Sequence, residues 1–533
     1  LELGVKMKSI TDCLSWAVLE AHYHDMRDIS IKQLFFESKD RFSHFSLDVA
    51  DLFIDYSKNW ITEESIDLLC ALAEERRLPA AIQALFSGEK INYSEQRPAL
   101  HALYRLPPNK PFILNGIDLA CEAQNEFQKI ASIAEELKKG KLLGYSGKPI
   151  NTILHVGMGG SGLGPAFYYQ AIPCADKKAT CYFLTEFDYS LVQSTLAHCN
   201  PETTIVAIVS KTFTTQETMT IYKSLKQWLC DAAGNEEKAQ NHFYAVTAEC
   251  ERAQAHGFLK EHIFKIWDWV GGRFSIWSAV SFSVILSLGV DHFKRFLAGA
   301  YQMDQHFQNA PLKKNIPVIM GLLSVWYGNF FHSQAQAIIP YSARLGALPL
   351  YLQQLHMESL GKNISSQGNK IHYTTGRVIF GDTGPRSQHS FHQLLMQGNS
   401  MIPVDFILPL RDDVKNDYDA KRAAFCLSQS QTLMLGFDAP NAVQAIAGGR
   451  PSTTIMLDCL MPETLGALIA LYEHKVFVES IIWDINAFDQ WGVERAKQVA
   501  QELEHCIGES KKLDNMDSST AGLLKRISRS LCL

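Results

Sequence analysis

Along the first hundred positions apolar residues recur at helical spacing, most clearly through 34–45 and 66–78. The stretch 7–115 therefore reads as mostly helical. A Pro-rich stretch at 106–112 marks a boundary. One amphipathic helix is predicted over 117–140, ending in the basic Lys138 and Lys139 before Gly140. The pattern then changes. Short β-rich runs at 152–156, 180–185 and 204–209 are separated by helical segments. A second alternation starts near 315, with strands expected at 377–380, 402–407 and 431–435. Strands alternating with helices imply parallel sheets covered on both faces, so the fold class is α/β. A strongly apolar helix is expected over 465–483, and a Ser- and Lys-rich tail after Gly508 ends in a small helix. Two long uncharged runs, 274–290 and 315–343, read as buried helices of a large core rather than membrane spans. The first holds five serines, and the second contains Asn, Gln, His and Gly.

A chain of 533 residues exceeds one ordinary core, so two packed units with appended elements are expected. The net charge of -6 gives no global attraction to nucleic acid or to an anionic membrane. A small anionic ligand must then find a local positive site. The 12 cysteines show neither CxxC spacing nor a zinc pattern, which points to thiols in a reducing cytoplasm. The six residues before Met7 read as a cloning remnant.

Two loops carry candidate chemistry. Gly157, Met158, Gly159, Gly160, Ser161 and Gly162 follow a predicted strand and satisfy GxGxxG. Small residues and N–H groups at a helix N-terminus favour an anion. A dinucleotide site also wants an acid after the next strand, and Glu186 and Asp188 stand there. A tight turn without any ligand is the third reading. The second loop follows the run 204–209 and reads Ser210, Lys211, Thr212, Phe213, Thr214, Thr215, Gln216, Glu217, Thr218. Four hydroxyls within six residues suit a compact phosphate and exceed what an N-cap needs. Both loops leave the carboxyl ends of strands, where open α/β sheets bind ligands.

The second loop resembles the phosphate loop of the glucose-6-phosphate isomerase family. The stretch 270–278 (Val-Gly-Gly-Arg-Phe-Ser-Ile-Trp-Ser) is similar to one family signature. The stretch 466–475 (Gly-Ala-Leu-Ile-Ala-Leu-Tyr-Glu-His-Lys), running on to 488–494 (Phe-Asp-Gln-Trp-Gly-Val-Glu), is similar to the other. Further likenesses lie at 88–92, 97–101, 353–359 and 388–391, so the resemblance covers nearly the whole chain in order. It implies two αβα sandwich sugar-isomerase (SIS) domains with parallel sheets, plus packed N- and C-terminal helices. The boundaries expected are a helical segment packing on the second domain (1–115), a small first domain (116–300), a large second domain (301–507) and a helical tail (508–533).

Aldose–ketose isomerisation needs a base at the α-carbon, positive charge or donors against the enediolate oxygens, ring-opening acid–base groups and a phosphate anchor. The resemblance assigns Glu358 as the base. Its apolar neighbours Leu355, Met357 and Leu360 are expected to raise its pKa, whereas a lone Glu before a Gly otherwise reads as a helix-surface residue. Arg273, after two glycines, supplies fixed positive charge to the enediolate; its other reading is a partner of Asp268. The resemblance gives ring opening to His389, donated by the other subunit of a homodimer, and to Lys497. Taken alone these are an ordinary histidine and a solvated helical lysine. Ser161, Ser210, Lys211, Thr212 and Thr215 are carried over for the phosphate, and Gly160, Glu217 and Gln354 for the sugar. No cofactor, metal, nucleic acid or membrane partner is expected. The ligand is a hexose 6-phosphate and the compartment the cytoplasm. The readings in competition are an NAD(P)-dependent sugar-phosphate oxidoreductase, on the literal GxGxxG, and a non-catalytic sugar-phosphate-binding protein.

Four positions depart from the family pattern. Gly162 stands where an aspartate is usual and is expected to loosen its loop. Leu360 replaces an asparagine two positions after the base. Pro385 and Arg386 precede His389 in place of an uncharged stretch, which bears on where that histidine is placed.

Overall fold

The computed structural model describes residues 8–173, 176–411, 416–507 and 516–531. The six residues before Met7, and Cys174 and Cys532, lie outside the described residues. Residues up to Ala487 form one compact unit, and residues from Phe488 form a second.

The N-terminal region holds the expected helices, among them Leu14–Met26, Glu63–Glu75 and Leu78–Ser87. It also holds a hairpin of β1 (Ser46–Val49) and β2 (Leu52–Asp55), which the mostly helical expectation did not include. The connecting Ala50 and Asp51 both take positive φ, 49° and 59°. That is the backbone a two-residue hairpin turn demands, here without the usual glycine.

The first sheet comprises β3 (Thr152–Val156), β4 (Thr180–Leu184), β5 (Thr204–Val209), β6 (Phe243–Thr247) and β7 (Ile263–Lys265). Its order is β4-β3-β5-β6-β7, parallel throughout. β3, β5 and β6 are buried at every position, because helices cover both faces. β3 runs into α1 (Gly160–Ala171) and β5 into α2 (Gln216–Ala233). The chain goes from β3 to β4 on one side and returns to β5 on the other. The carboxyl ends of β3 and β5 therefore flank the switch point, where open α/β sheets bind ligands. Leu154, Val156, Val206 and Ile208 pack there on Ile221, Leu225 and Leu229 of α2.

The second sheet is built from β8 (Ala335–Pro340), β9 (Val378–Gly381), β10 (Val404–Pro409) and β11 (Ser452–Leu457). Its order is β1-β2-β11-β10-β8-β9: four parallel strands, with the N-terminal hairpin added antiparallel. The run β9-β8-β10-β11 repeats the order of β4-β3-β5-β6, so the two blocks share one topology. The strand expected at 431–435 is instead the last turn of the helix Asp417–Leu435. The uncharged run 315–343, read as a buried helix, contains the helix Ile316–Val325, a π turn at Trp326–Phe330 and β8. Within 274–290 only Phe282–Leu288 is α-helical ahead of the next helix. No helix among the described residues is long and apolar enough to cross a membrane.

Helix α3 (Val290–Asn309) crosses the buried α5 (Pro462–Ile482) at very short range; α4 (Leu348–Gln353) lies between them in sequence. A Cβ on Gly299 would stand 1.9 Å from the Glu463 carbonyl, and one on Gly466 2.0 Å from that of Phe296. Buried charges on α5 are paired, as burial requires. Glu473 accepts from Trp277 Nε1 at 2.8 Å and is bonded by Arg105. His474 and Arg105 meet on Asp304 Oδ1 at 2.7 and 2.6 Å. The two signature stretches, read separately along the chain, thus meet at Trp277 and Glu473.

In the second unit, α6 (Trp491–Glu504) has no buried residue. Cys506 and Leu524, the latter on the helix Ser518–Ser530, form a small cluster with Leu503, Ile507, Met516 and Ala521.

Candidate active site

The glycine loop leaves β3 at the switch point. Gly159 takes φ +53° with ψ -127° at the N-cap of α1, a conformation L side chains rarely adopt. A Cβ there would stand 3.1 Å from Gln354 Nε2, and one on Gly160 2.2 Å from the Gly272 carbonyl carbon. The glycines let the chain's own groups close onto the loop, and a pyrophosphate would need that same space. Of the two acids a dinucleotide site calls on, Asp188 caps the helix Tyr189–Leu196, accepting from Leu191 N at 2.8 Å. The looser loop expected from Gly162 is corrected as well. A Cβ at this position would fall 2.2 Å from Gly157 O and 2.6 Å from Thr185 Cγ2, so the loop is tightly packed. Ser161 is half-buried, and its carbonyl accepts from His155 Nε2 at 2.7 Å. Burial lowers His155 to about 4, so it is the neutral imidazole that donates here.

The hydroxyl loop leaves β5. Thr215 is the N-cap of α2, yet its side chain makes no cap hydrogen bond. Its Oγ1 lies 3.1 Å from Ser210 Oγ, and Thr214 Oγ1 donates to Thr212 Oγ1 at 2.9 Å. The hydroxyls thus gather beside the positive end of a helix rather than being spent on capping it, the arrangement an anion favours. Phe213, at φ +53°, turns its ring inward against Phe258, which aims the flanking threonines outward. Lys211 Nζ donates to Asp268 O at 2.8 Å and Val270 O at 2.9 Å, tying this loop to the turn that carries Arg273. Burial, and then Arg97, bring its pKa down to about 8. Glu217 is exposed in the first turn of α2, where a carboxylate also complements the helix dipole.

The third component is a π turn, Gln354–Glu358, that continues α4. Such turns interrupt α-helices frequently at functional sites. Glu358 Oε2 lies 3.4 Å from Arg273 Nη1; the Glu358 side chain is 24% exposed and that of Arg273 2%. Arg273 also donates through Nε to Ser359 Oγ at 2.6 Å and through Nη2 to Ala487 O at 2.5 Å. Asp268, the other partner expected for Arg273, lies 3.5 Å from Arg97 Nη1. The expected apolar surroundings of Glu358 are corrected too. Leu355 and Leu360 are fully buried in the core and Met357 is 40% exposed, while the carboxylate faces the guanidinium.

Gly160, Gln354, Arg273 and Glu358 are therefore brought together, with Ser161 on the same glycine loop. Ser210, Lys211, Thr212, Thr215 and Glu217 are linked to them through the Lys211 strap. His389 stands apart, exposed just after the short helix Gly384–Gln388 beyond β9. Pro385 occupies the first turn of that helix, where its missing N–H costs nothing. Lys497 belongs to the second unit, on α6, 65% exposed and 3.0 Å from Glu494. Sequence reasoning passed over Ser359, which positions Arg273, and Lys362, whose Nζ donates to Glu358 O at 3.2 Å and Ser359 O at 2.7 Å. A lysine four residues beyond Glu358, at a helix C-terminus, was the available signal.

Known proteins resemble this chain over nearly its whole length. The family described as phosphoglucose isomerase matches residues 55–524. A glucose-6-phosphate isomerase of Coxiella burnetii (strain CbuK_Q154) is 42% identical over 97% of this chain and 98% of its own. One of Pseudomonas aeruginosa (strain LESB58) is 42% identical over 96% of each. The crystal structure of a glucose-6-phosphate isomerase from Chlamydia trachomatis D/UW-3/Cx matches with a TM-score of 0.87 at 29% identity, covering 97% of this chain and 99% of that one.

Proposed function

The chain belongs to the phosphoglucose isomerase family, and on that premise we propose how its residues interconvert glucose 6-phosphate and fructose 6-phosphate. The reaction is an aldose–ketose isomerisation of glycolysis and gluconeogenesis, through ring opening and a cis-enediol(ate). The observation that carries the assignment of roles is the Arg273–Glu358 pair where the glycine loop, the signature turn and the π turn converge. Glu358 takes the proton from one of C1 and C2 and returns it to the other. Arg273 balances the charge that gathers on the two oxygens without giving up a proton itself. Ser210, Thr212 and Thr215 with Lys211 and Ser161 hold the 6-phosphate; Gly160, Gln354 and Glu217 border the sugar.

Ring opening falls to His389 and Lys497, on the strength of the family motifs. The exposure of His389 within one chain suits its donation across a homodimer. The division at 115, 300 and 507 remains our reading of the domains, and the cytoplasm our reading of the compartment.

The test is conversion of fructose 6-phosphate to glucose 6-phosphate by the purified chain, followed by a coupled assay. Turnover is expected. Absent turnover together with saturable NAD(P) binding would return the assignment to the oxidoreductase reading.

The depressed Lys211 gives a second expectation. Below about 8 its ammonium is charged and attracts a phosphate dianion; above that value the charge is lost. Affinity for the sugar phosphate should therefore fall as pH rises through about 8, and Lys211→Arg should flatten that limb. Titration of a competitive sugar phosphate at several pH values measures it. An equal fall in both proteins would place the titrating group elsewhere.

A further inference from the structure

The π turn that carries Glu358 also carries His356, whose side chain points the other way, into the core, at 3% exposure. Its Nε2 lies 3.2 Å from Glu479 Oε1 and 3.1 Å from Oε2, on the fully buried α5. Glu479 is gripped from its own helix by Lys475 Nζ at 3.2 Å. Lys475 Nζ also stands 3.5 Å from Gln336 Oε1 on β8, which accepts from Arg377 Nη2 at 2.8 Å. Gln336 in turn donates to Asp405 on β10 at 2.8 Å. A chain of buried polar groups thus runs from the central strands of the second sheet, through α5, to the turn beneath Glu358.

The protonation states follow from the surroundings. Burial pushes the Glu479 carboxyl up, and Lys475, His356 and Ser324 together outweigh that and keep it ionised. Burial holds His356 below its ordinary value against the pull of Glu479. Nδ1 of His356 meets no hydrogen-bond partner among the described residues. A neutral ring with its proton on Nε2 satisfies the carboxylate and leaves only a lone pair at Nδ1 unmet, the less costly arrangement.

A π turn is a rare, single-turn departure from the α-helix, so the direction of its side chains depends on what holds the turn in place. Lys362 fixes the far end of this one by donating to the carbonyls of Glu358, Ser359 and Asn486. Nearer its start the turn is held inward by two buried side chains, Leu355 through packing and His356 through a polar contact. We propose that His356 is a positioning residue for the isomerisation: its Nε2–H, donated to the buried Glu479, fixes the π turn and so aims Glu358 at the substrate carbons. The role rests on the reading of Glu358 as the base.

The experiment compares His356→Leu, His356→Gln and His356→Asn with Glu358→Gln in the full chain. Thermal unfolding is recorded for each. Glutamine places an N–H where Nε2 stands; leucine has none, and asparagine is too short to reach Glu479. His356→Leu and His356→Asn should lose about 10²-fold in kcat, the cost of a base displaced by roughly an ångström. KM should change by less than about threefold, since the phosphate loop belongs to the other sheet. His356→Gln should regain most of the loss. Should leucine fail to fold, the contrast between glutamine and asparagine carries the test. A folded leucine or asparagine variant with wild-type kcat, or a glutamine variant as impaired as the asparagine one, overturns the positioning role. A wild-type kcat in Glu358→Gln would overturn the base assignment instead.

Discussion

Glu358→Gln is expected to lower kcat for fructose 6-phosphate by about 10²- to 10⁴-fold, the range a positioned base contributes. Glutamine keeps the shape and the polar contact with Arg273 Nη1, now 3.4 Å from a carboxylate oxygen, but cannot accept the carbon-bound proton. Arg273 keeps its donations to Ser359 Oγ and Ala487 O, so the local fold has independent support. The phosphate anchor follows β5 and touches neither oxygen of Glu358. Affinity for a non-reacting 6-phosphate should accordingly stay near wild type, and calorimetric titration checks this. Exchange of the C2 proton with solvent deuterium gives a second readout, which should vanish together with turnover. A variant that still turns over within about threefold of wild type would remove Glu358 from the role of base.

What the sequence disclosed of this arrangement depended on burial. β3 and β5 were legible to the residue because both faces are covered, which leaves mostly apolar runs bounded by glycines or hydroxyls. β8 was hidden inside a longer uncharged run together with a helix and a π turn, where periodicity does not separate strand from helix. The reverse error befell 431–435, an apolar helix end whose true start was signalled by the capping box of Asn416 and Asp419. The hairpin β1–β2 was missed because Ala50 and Asp51 adopt positive φ without a glycine to announce it.

The site divides in the same way. Motifs supplied its residue types, since chemistry fixes those; the contacts that aim them are long-range and leave no local trace. Neither the donation from Arg273 Nε to Ser359 nor the burial of Lys475 and Glu479 in a helix that reads as apolar follows from spacing. Glu358 shows the consequence. Its apolar sequence neighbours suggested an apolar pocket, but Leu355 and Leu360 lie in the core, Met357 is exposed, and the carboxylate faces a guanidinium.

Arg273→Lys tests that guanidinium directly, and about 10²- to 10³-fold should be lost from kcat, the usual cost of a preorganised group that stabilises developing oxyanion charge. Lysine keeps the positive charge but not the planar fork, and a single ammonium cannot meet Ser359 Oγ, Ala487 O and Glu358 Oε2 together. The buried acceptor left without its donor should also cost about 1–3 kcal/mol of stability, visible as a lower Tm. Arg273→Met, which removes the charge as well, separates the two contributions. If fixed charge at the enediolate dominates, the methionine variant falls well below the lysine variant in kcat. If the fork's positioning of Glu358 dominates, the two are equally impaired, and a small carboxylate-directed cation such as guanidinium restores neither. Wild-type kcat in a folded Arg273→Lys would show that neither the fork nor its geometry is used in the reaction.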